Sequence, residues 1–274
     1  MSILAMAIIL GLIQGAAEFL PISSSGHLIL AQHIFGLAEP EWAFDIVLHL
    51  GTLSAVSYFY RHSLAALLRE LKFLPGALLS PARMRALYQE RPDFQFGLQI
   101  LAASLPTAIV GLGFKKFLEP AMTSIVCIGL ALMVTGGILR LAGNKGQTGR
   151  DRLTLRDALL IGLVQGVAVF PGLSRSGWTI GAGLMIGLGR ETAARFSFLL
   201  SIPAIIGATA LEFSGDWVSG FGPGGFLAGF LTAAVSGFLA LTLLKRILNQ
   251  GRLAVFSWWC WAAGALALAW AWAS

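Results

Sequence analysis

Long apolar runs separated by short polar, often basic, stretches organise this chain. Six runs match a hydrocarbon core of roughly 30 Å at 1.5 Å per residue: about Ala43 to Tyr60, Phe94 to Phe114, Met122 to Leu141, Ala193 to Glu212, Gly224 to Leu244 and Leu253 to Trp272. Each predicts a membrane-spanning helix. Two other apolar regions, residues 1–36 and 157–189, are interrupted by Pro21 and by Pro171-Gly172, each followed by a serine-rich turn and a glycine. Such a break frees backbone groups that hydrocarbon cannot satisfy, which predicts re-entrant helical hairpins buried in protein or lining a wet cavity. The expected fold class is an all-α polytopic membrane protein with six transmembrane helices and two re-entrant hairpins.

The two broken regions are related. Residues 11–27 (GLIQGAAEFLPISSSGH) laid without a gap over residues 162–178 (GLVQGVAVFPGLSRSGW) agree at Gly11, Leu12, Gln14, Gly15, Ala17, Phe19, Ser23, Ser25 and Gly26. Similarity continues from Phe44–Val56 into Phe196–Ala208, so the duplication exceeds a motif. The chain reads as a single membrane domain of two repeats, about 1–142 and 157–274. Basic residues in 61–93 and 140–156 place those loops in the cytoplasm. Alternating the spans from there puts sixteen of the nineteen Lys and Arg inside, leaving Lys115, Lys116 and Arg175. The first broken region then enters from outside and the second from inside, so the repeats are predicted to be inverted, an architecture shared with many secondary transporters.

Composition agrees with a bilayer as solvent, since 57% of residues are hydrophobic and 12% charged, about half the charge of a soluble domain. The net charge of +6 is spread over short loops, which fits topology and not nucleic-acid binding. No Lys or Arg precedes Arg61, so no cleavable signal peptide is expected. Cys127 and Cys260 fall inside spans and read as small buried hydrophobes. The stretch Arg61 to Asp93, with Leu64, Leu67, Leu68, Leu71 and Leu74 among basic residues, predicts an amphipathic surface helix on the anionic inner leaflet. Glu212, Trp217 and the C-terminal tryptophans read as interfacial anchors.

Candidate chemistry gathers at the breaks. Gln14 and Glu18 share a helix face that Pro21 ends. A buried carboxylate is expensive in a membrane and defaults to a functional reading, against a structural clamp of the hairpin. Ser23, Ser24, Ser25 and Gly26 open the next helix, where free amides and hydroxyls make either an ordinary cap or an anion site. The second break offers Ser174, Arg175, Ser176 and Gly177; its guanidinium, in place of Ser24, matches phosphate oxygens better than it suits a snorkelling role. Val169 stands opposite Glu18, and Trp178 opposite His27. His27 is either a satisfied core histidine or a proton carrier beside the serines. Asp45 and His49, one turn apart on the next span, line the same pocket or stand just behind it.

QGAAEFLPISSSGH (Gln14 to His27) and PGLSRSG (Pro171 to Gly177) resemble the two signature motifs of the bacterial undecaprenyl-diphosphate phosphatases, also called bacitracin-resistance proteins. The resemblance covers essentially the whole chain. It implies a hydrolase that releases phosphate from the C55 isoprenoid diphosphate, recycling the lipid carrier of peptidoglycan synthesis and facing the outer side of the inner membrane. The family's acidic motif is Glu or Gln, three residues, then Glu; with Gln14 first here, the acid or metal role falls on Glu18. The expected site has Glu18, Ser24, His27 and Arg175 as catalytic residues. Gln14, Ser23, Ser25, Gly26, Ser174, Ser176 and Gly177 are expected to bind substrate. A Mg²⁺ or Ca²⁺ ion is expected on Glu18, bridging to diphosphate oxygens. Ser24, activated by His27 or Glu18, and a directly attacking water are both open as nucleophile. Polyprenyl diphosphates and membrane lipid are the expected partners, a homodimer is left open, and a flippase or secondary transporter of the lipid phosphate is the rival reading.

Overall fold

A computed structural model describes residues 1–37, 41–122, 124–143, 145, 149–212 and 220–273, with the side chains of 115–122 and 212 left out. The anchor residue Trp217 and the side chains of Lys115, Lys116 and Glu212 therefore lie outside what is described. Regular structure in the described residues is helical, apart from an isolated bridge between Arg150 and Leu188.

The first broken region forms α1 (Ile3–Phe19) and α2 (Ser24–Ile34), and the second forms α9 (Leu155–Val167) and α10 (Arg175–Met185). The intervening helices are α3 (Trp42–Phe59), α4 (Arg61–Glu70), α5 (Leu74–Leu78), α6 (Pro81–Glu90), α7 (Pro92–Met122) and α8 (Ile125–Ala142). The chain closes with α11 (Arg190–Glu212), α12 (Gly222–Asn249) and α13 (Val255–Ala273). Six helices are long and apolar enough to cross a membrane: α3, α7 over Pro92–Phe114, α8, α11, α12 and α13. They coincide with the six runs read from the sequence, although α12 continues five residues past the expected end at Leu244.

The stretch 61–91 departs from expectation. It is not one amphipathic helix but α4, a 3₁₀ turn at Leu71–Phe73, α5 and α6. Pro75-Gly76 and Pro81 sit where new short helices start, since proline has no amide to continue a preceding helix and fits the first turn of the next. Leu64 and Leu67 pack on the core while Leu68 stays exposed. Arg91 holds the end of this insertion by a two-pronged ion pair to Glu70 at 2.7 and 2.9 Å.

Glycines set the closest helix contacts. α1 lies on α12, and a Cβ on Gly15 would come within 2.4 Å of the Ala233 carbonyl and one on Gly11 within 2.6 Å of that of Gly229. α9 lies on α7 by the equivalent pair, where a Cβ on Gly162 would lie 2.2 Å from the Ala103 carbonyl and one on Gly166 2.7 Å from Val110 Cβ. Small residues four apart let backbones approach where lipid supplies no hydrophobic drive between helices. α13 packs along α8 in the same way through Gly129 and Gly264.

The two breaks then meet each other. Leu20 is extended, as a residue before proline prefers, and ends α1. Ser23 is the one non-glycine with positive φ among the described residues, at 73°, and Gly172 adopts 86° at the corresponding turn. A Cβ on Gly26 would lie 3.2 Å from Gly172 Cα, and one on Gly177 would lie 3.1 Å from Pro21 Cβ. Ser25 Oγ accepts from the Gly172 amide at 3.4 Å, while Ser176 Oγ donates to the Leu20 carbonyl at 3.4 Å. At the start of α9, Thr154 and Asp157 form a capping box, and Arg150 grips Asp157 at 2.6 and 2.8 Å. Arg150 also accepts and donates main-chain bonds with Gly189 and Gly187, tying the start of α9 to the end of α10. Of the cysteines, Cys260 is buried and donates to the Pro21 carbonyl, whereas Cys127 is half-buried.

Two outcomes follow. Gly172→Ala combines a left-handed backbone with a Cβ 2.8 Å from Ala131 Cβ and the Ile128 carbonyl, so it should lower the melting temperature in detergent through a cost of about 1–3 kcal/mol. Gly137→Ala, into open space on α8, should not; equal melting of both variants would contradict the packing of the breaks. The Arg150 hydrogen bonds hold the Asp157 carboxyl down at about 2, from an ordinary 3.8. A depressed acid contributes stability above its unfolded value and loses it as pH falls through the folded one. Wild type should therefore lose this increment between about pH 4 and pH 2, and Asp157→Asn, lacking it at neutral pH, should show a flatter melting profile across that window.

Candidate functional site

The last turn of α1 and the first turns of α2 and α10 converge on one carboxylate. Glu18 is 7% exposed, a placement whose desolvation cost requires compensation on both oxygens. Arg175, the first residue of α10, ion-pairs with Oε1. Ser24, the first residue of α2, donates its hydroxyl to Oε2 at 2.6 Å, and Gln14 Nε2 donates to the same oxygen at 3.1 Å. His49 Nε2 lies 4.0 Å from Oε2. The His49 Nδ1–H donates to the Asp45 carbonyl at 2.8 Å, so its neutral form presents a bare Nε2 toward the carboxylate.

Glu18, Ser24, Ser25, Ser174 and Arg175 line a cavity of about 860 Å³ that α3, α7 and α11 complete with His49, Thr107, Ala204, Ile205, Ala208 and Thr209. Gln14, Ser23, Gly26, Ser176 and Gly177, also expected to bind substrate, are not part of this lining, and the serines and glycines of both breaks shape the turns. Ser23 and Ser174 cap α2 and α10, accepting from the amides of Gly26 and Gly177 at 3.2 Å each. Ser25 and Ser176 cross-link the two breaks, and Gly26 and Gly177 provide their close approach. Gln14 supports Glu18.

His27 is positioned differently from the proton carrier expected of it. Its Nδ1–H donates to the Ser23 carbonyl at 2.8 Å and its Nε2 accepts from Trp259 Nε1 at 2.9 Å, so both ring nitrogens are engaged away from Ser24. Trp259, grouped by sequence with the interfacial anchors, is thereby the partner that holds His27. Asp45 accepts from Gln32 Nε2 at 2.8 Å and does not line the cavity. His49 and Gln165 line it, and Gln165 had a signal available, being the repeat counterpart of Gln14.

Three polar groups at this site have no protein partner among the described residues. Arg175 Nη1 is buried with none, as are the side-chain oxygens of Gln14 and Gln165. A buried guanidinium nitrogen without an acceptor, at a helix N-terminus, is a fitted donor for an anion. No cluster of three or more His, Cys, Asp and Glu occurs among the described residues. Beside the Glu18 carboxylate stand the Ser24 hydroxyl and the Gln14 amide, whose oxygens are hard donors of the kind Mg²⁺ and Ca²⁺ take.

The chain matches the family model described as bacitracin resistance protein BacA over residues 7–266. It is 42% identical over 264 residues to an undecaprenyl-diphosphatase of Desulforapulum autotrophicum, covering 95% of this chain and 96% of that protein. It is 40% identical over 265 residues to one of Carboxydothermus hydrogenoformans, covering 94% of each. A third, from Desulfosudis oleivorans, is 43% identical over 265 residues, covering 95% and 96%. With the family model matched across nearly its whole length, this chain belongs to the bacitracin resistance protein BacA family.

Proposed function

We infer that this multi-pass membrane protein is an undecaprenyl-diphosphate phosphatase, releasing inorganic phosphate from undecaprenyl diphosphate and returning undecaprenyl phosphate. One observation carries the mechanism: a serine hydroxyl at a helix N-terminus donates at 2.6 Å to a carboxylate whose other oxygen is held by an arginine. Arg175 Nη1 and the N-termini of α2 and α10 receive the oxygens of the terminal phosphoryl group, where charge grows in the transition state. Ser24 passes its proton to Glu18 as Oγ bonds to the terminal phosphorus. The bond from phosphorus to the bridging oxygen breaks, and that oxygen leaves with the lipid phosphate. Glu18 hands that proton to the leaving oxygen; water, deprotonated by Glu18 or His49, then attacks phosphorus, the bond to Ser24 Oγ breaks as Oγ takes a proton back from the same base, and phosphate is freed. His27 acts as a positioning residue that fixes the first turn of α2.

Glu18, with Gln14 Oε1 and Ser24 Oγ, would hold a Mg²⁺ or Ca²⁺ ion. Such an ion, when bound, neutralises part of the diphosphate charge. The polyprenyl tail has an apolar path between α7 and α11. A groove of about 750 Å³ lined by Leu98, Leu101, Leu199, Ile202 and Pro203 borders the same two helices as the cavity wall at Thr107 and Ala204.

The domain reading is two inverted repeats, about 1–142 and 157–274. Reciprocal contacts favour it: Gly26 meets Gly172 while Gly177 meets Pro21, and α1 lies on α12 while α9 lies on α7. The site would face the outer side of the inner membrane. With the basic loops inside, His49, Thr107 and Ala208 all fall in the outer halves of α3, α7 and α11.

Phosphate release from undecaprenyl diphosphate by the detergent-purified protein tests these assignments. Glu18→Gln and Ser24→Ala should each lose about 10²–10⁴-fold in kcat, and Arg175→Ala about 10²–10³-fold. Chelation should abolish release, and added Mg²⁺ or Ca²⁺ should restore it. Acid-quenched wild type should carry phosphate on Ser24; full activity in Ser24→Ala would assign the attack to water. The two imidazoles separate as well. His49→Ala should depress kcat more than His27→Ala, and the reverse order would move the proton carrier to His27.

A further inference from the structure

A second cavity lies toward the opposite end of the bundle, between the C-terminal ends of α3 and α12 and the N-terminal end of α11. It measures about 910 Å³, and its polar lining includes Tyr60, Ser63, Arg190, Arg195, Lys245 and Asn249. Three cations face it against one carboxylate, Glu191. Arg190 Nη2 and Arg195 Nε are buried with no hydrogen-bond partner in the protein. A guanidinium in a membrane protein is costly to leave unsatisfied, and two together oppose each other unless an anion joins them. Gly251, at φ 73°, makes room for one of them, since a Cβ there would lie 2.6 Å from Arg190 Nη2. The Arg195 guanidinium is steadied over the Phe96 ring at 4.8 Å.

This cavity is separate from the one at Glu18, although α3 and α11 border both. From His49 to Tyr60 along α3, and from Ala204 to Arg195 along α11, the offset is about 15 Å at 1.5 Å per residue. Between them Phe198, in the wall of the second cavity, meets Phe19 edge to face at 5.7 Å and Tyr60 at 6.2 Å. Phe19 follows Glu18 directly and is fully buried, so aromatic rings lie between the two cavities.

We propose that Arg190, Arg195 and Lys245 form a second anion site, built for a phosphate group carrying about two negative charges. Two forked guanidinium groups and an ammonium exceed the one carboxylate by two charges, the balance a phosphate monoester or hydrogen phosphate supplies. A lipid phosphate headgroup and free inorganic phosphate share this chemistry. The site does not depend on the hydrolytic reading of the Glu18 cavity.

The test measures equilibrium binding of radiolabelled inorganic phosphate and of farnesyl phosphate to the detergent-purified Arg175→Ala protein, which lacks the guanidinium at Glu18. At least one of the probes should bind, and adding Arg190→Gln with Arg195→Gln should weaken it about tenfold or more. The same pair in the wild-type background should keep its melting temperature and phosphate release, showing an intact fold. Lys245 is exposed, so Lys245→Gln provides an independent variant, expected to weaken binding by about threefold or more. Comparable binding of both probes would assign free phosphate as the ligand; binding of farnesyl phosphate alone would assign a lipid headgroup. No binding of either probe, or binding unchanged by both the double variant and Lys245→Gln, would overturn the proposal.

Discussion

A carboxylate buried within a helical membrane protein has to be paired, and the rest of this structure is arranged around how Glu18 is paired. α1 carries no cation, so the charged partner comes from Arg175, 157 residues later in the chain. That contact requires two helices to stop in the interior with their broken ends face to face. A helix ending inside a bundle leaves four amides unbonded. Here Ser23 and Ser174 accept from the amides of Gly26 and Gly177, Ser25 accepts from the Gly172 amide, and at the end of α1 Ser176 donates to the Leu20 carbonyl. Ion pair and breaks are one feature: neither is affordable without the other.

Close backbone packing makes the meeting of the breaks possible. Gly11 and Gly15 set α1 against α12, and Gly162 and Gly166 set α9 against α7. Each broken helix is thus clamped by a long helix from the other half of the chain. With lipid on the outside offering no hydrophobic gain, these contacts rest on van der Waals fit and on exposed carbonyls a methyl group would strike. The geometry around Glu18 inherits its rigidity from them, since Gln14 and Glu18 project from the same short helix that the glycines seat.

Much of this was legible in the sequence because membranes simplify the code. Charge-free runs of about 20 residues have few alternatives to spanning helices, and Pro21 and Pro171-Gly172 mark the breaks without ambiguity. Ser24, Glu18 and Arg175 stood out because polar groups amid apolar text need a reason. The surface insertion at 61–91 was legible in composition but not in shape: its leucine pattern is helical throughout, and only Pro75 and Pro81 decide that it comes in pieces. The histidines were harder still. His27 sits in the motif and His49 does not, yet the motif residue is held by Trp259, 232 positions away. Adjacency in sequence says which turn a ring occupies, not which way its nitrogens are drawn.

The similarity of residues 11–27 to 162–178 bears on why a single acid stands at this position. At the position of Glu18 the second repeat carries Val169, which lines the same cavity, and at the position of Arg175 the first carries Ser24. A symmetric site would have placed two carboxylates, or two guanidinium groups, within reach of each other, and either pair is self-repelling in a medium of low dielectric. Dividing acid and base between the repeats turns that repulsion into an attraction. It also frees Ser24 to stand against the carboxylate in the place where its counterpart carries a charge. Gln14 and Gln165 keep the older symmetry, each with a buried, unpartnered side-chain oxygen. A second amide is tolerated because it is neutral: the two similar segments differ at the charged positions and agree at this uncharged one.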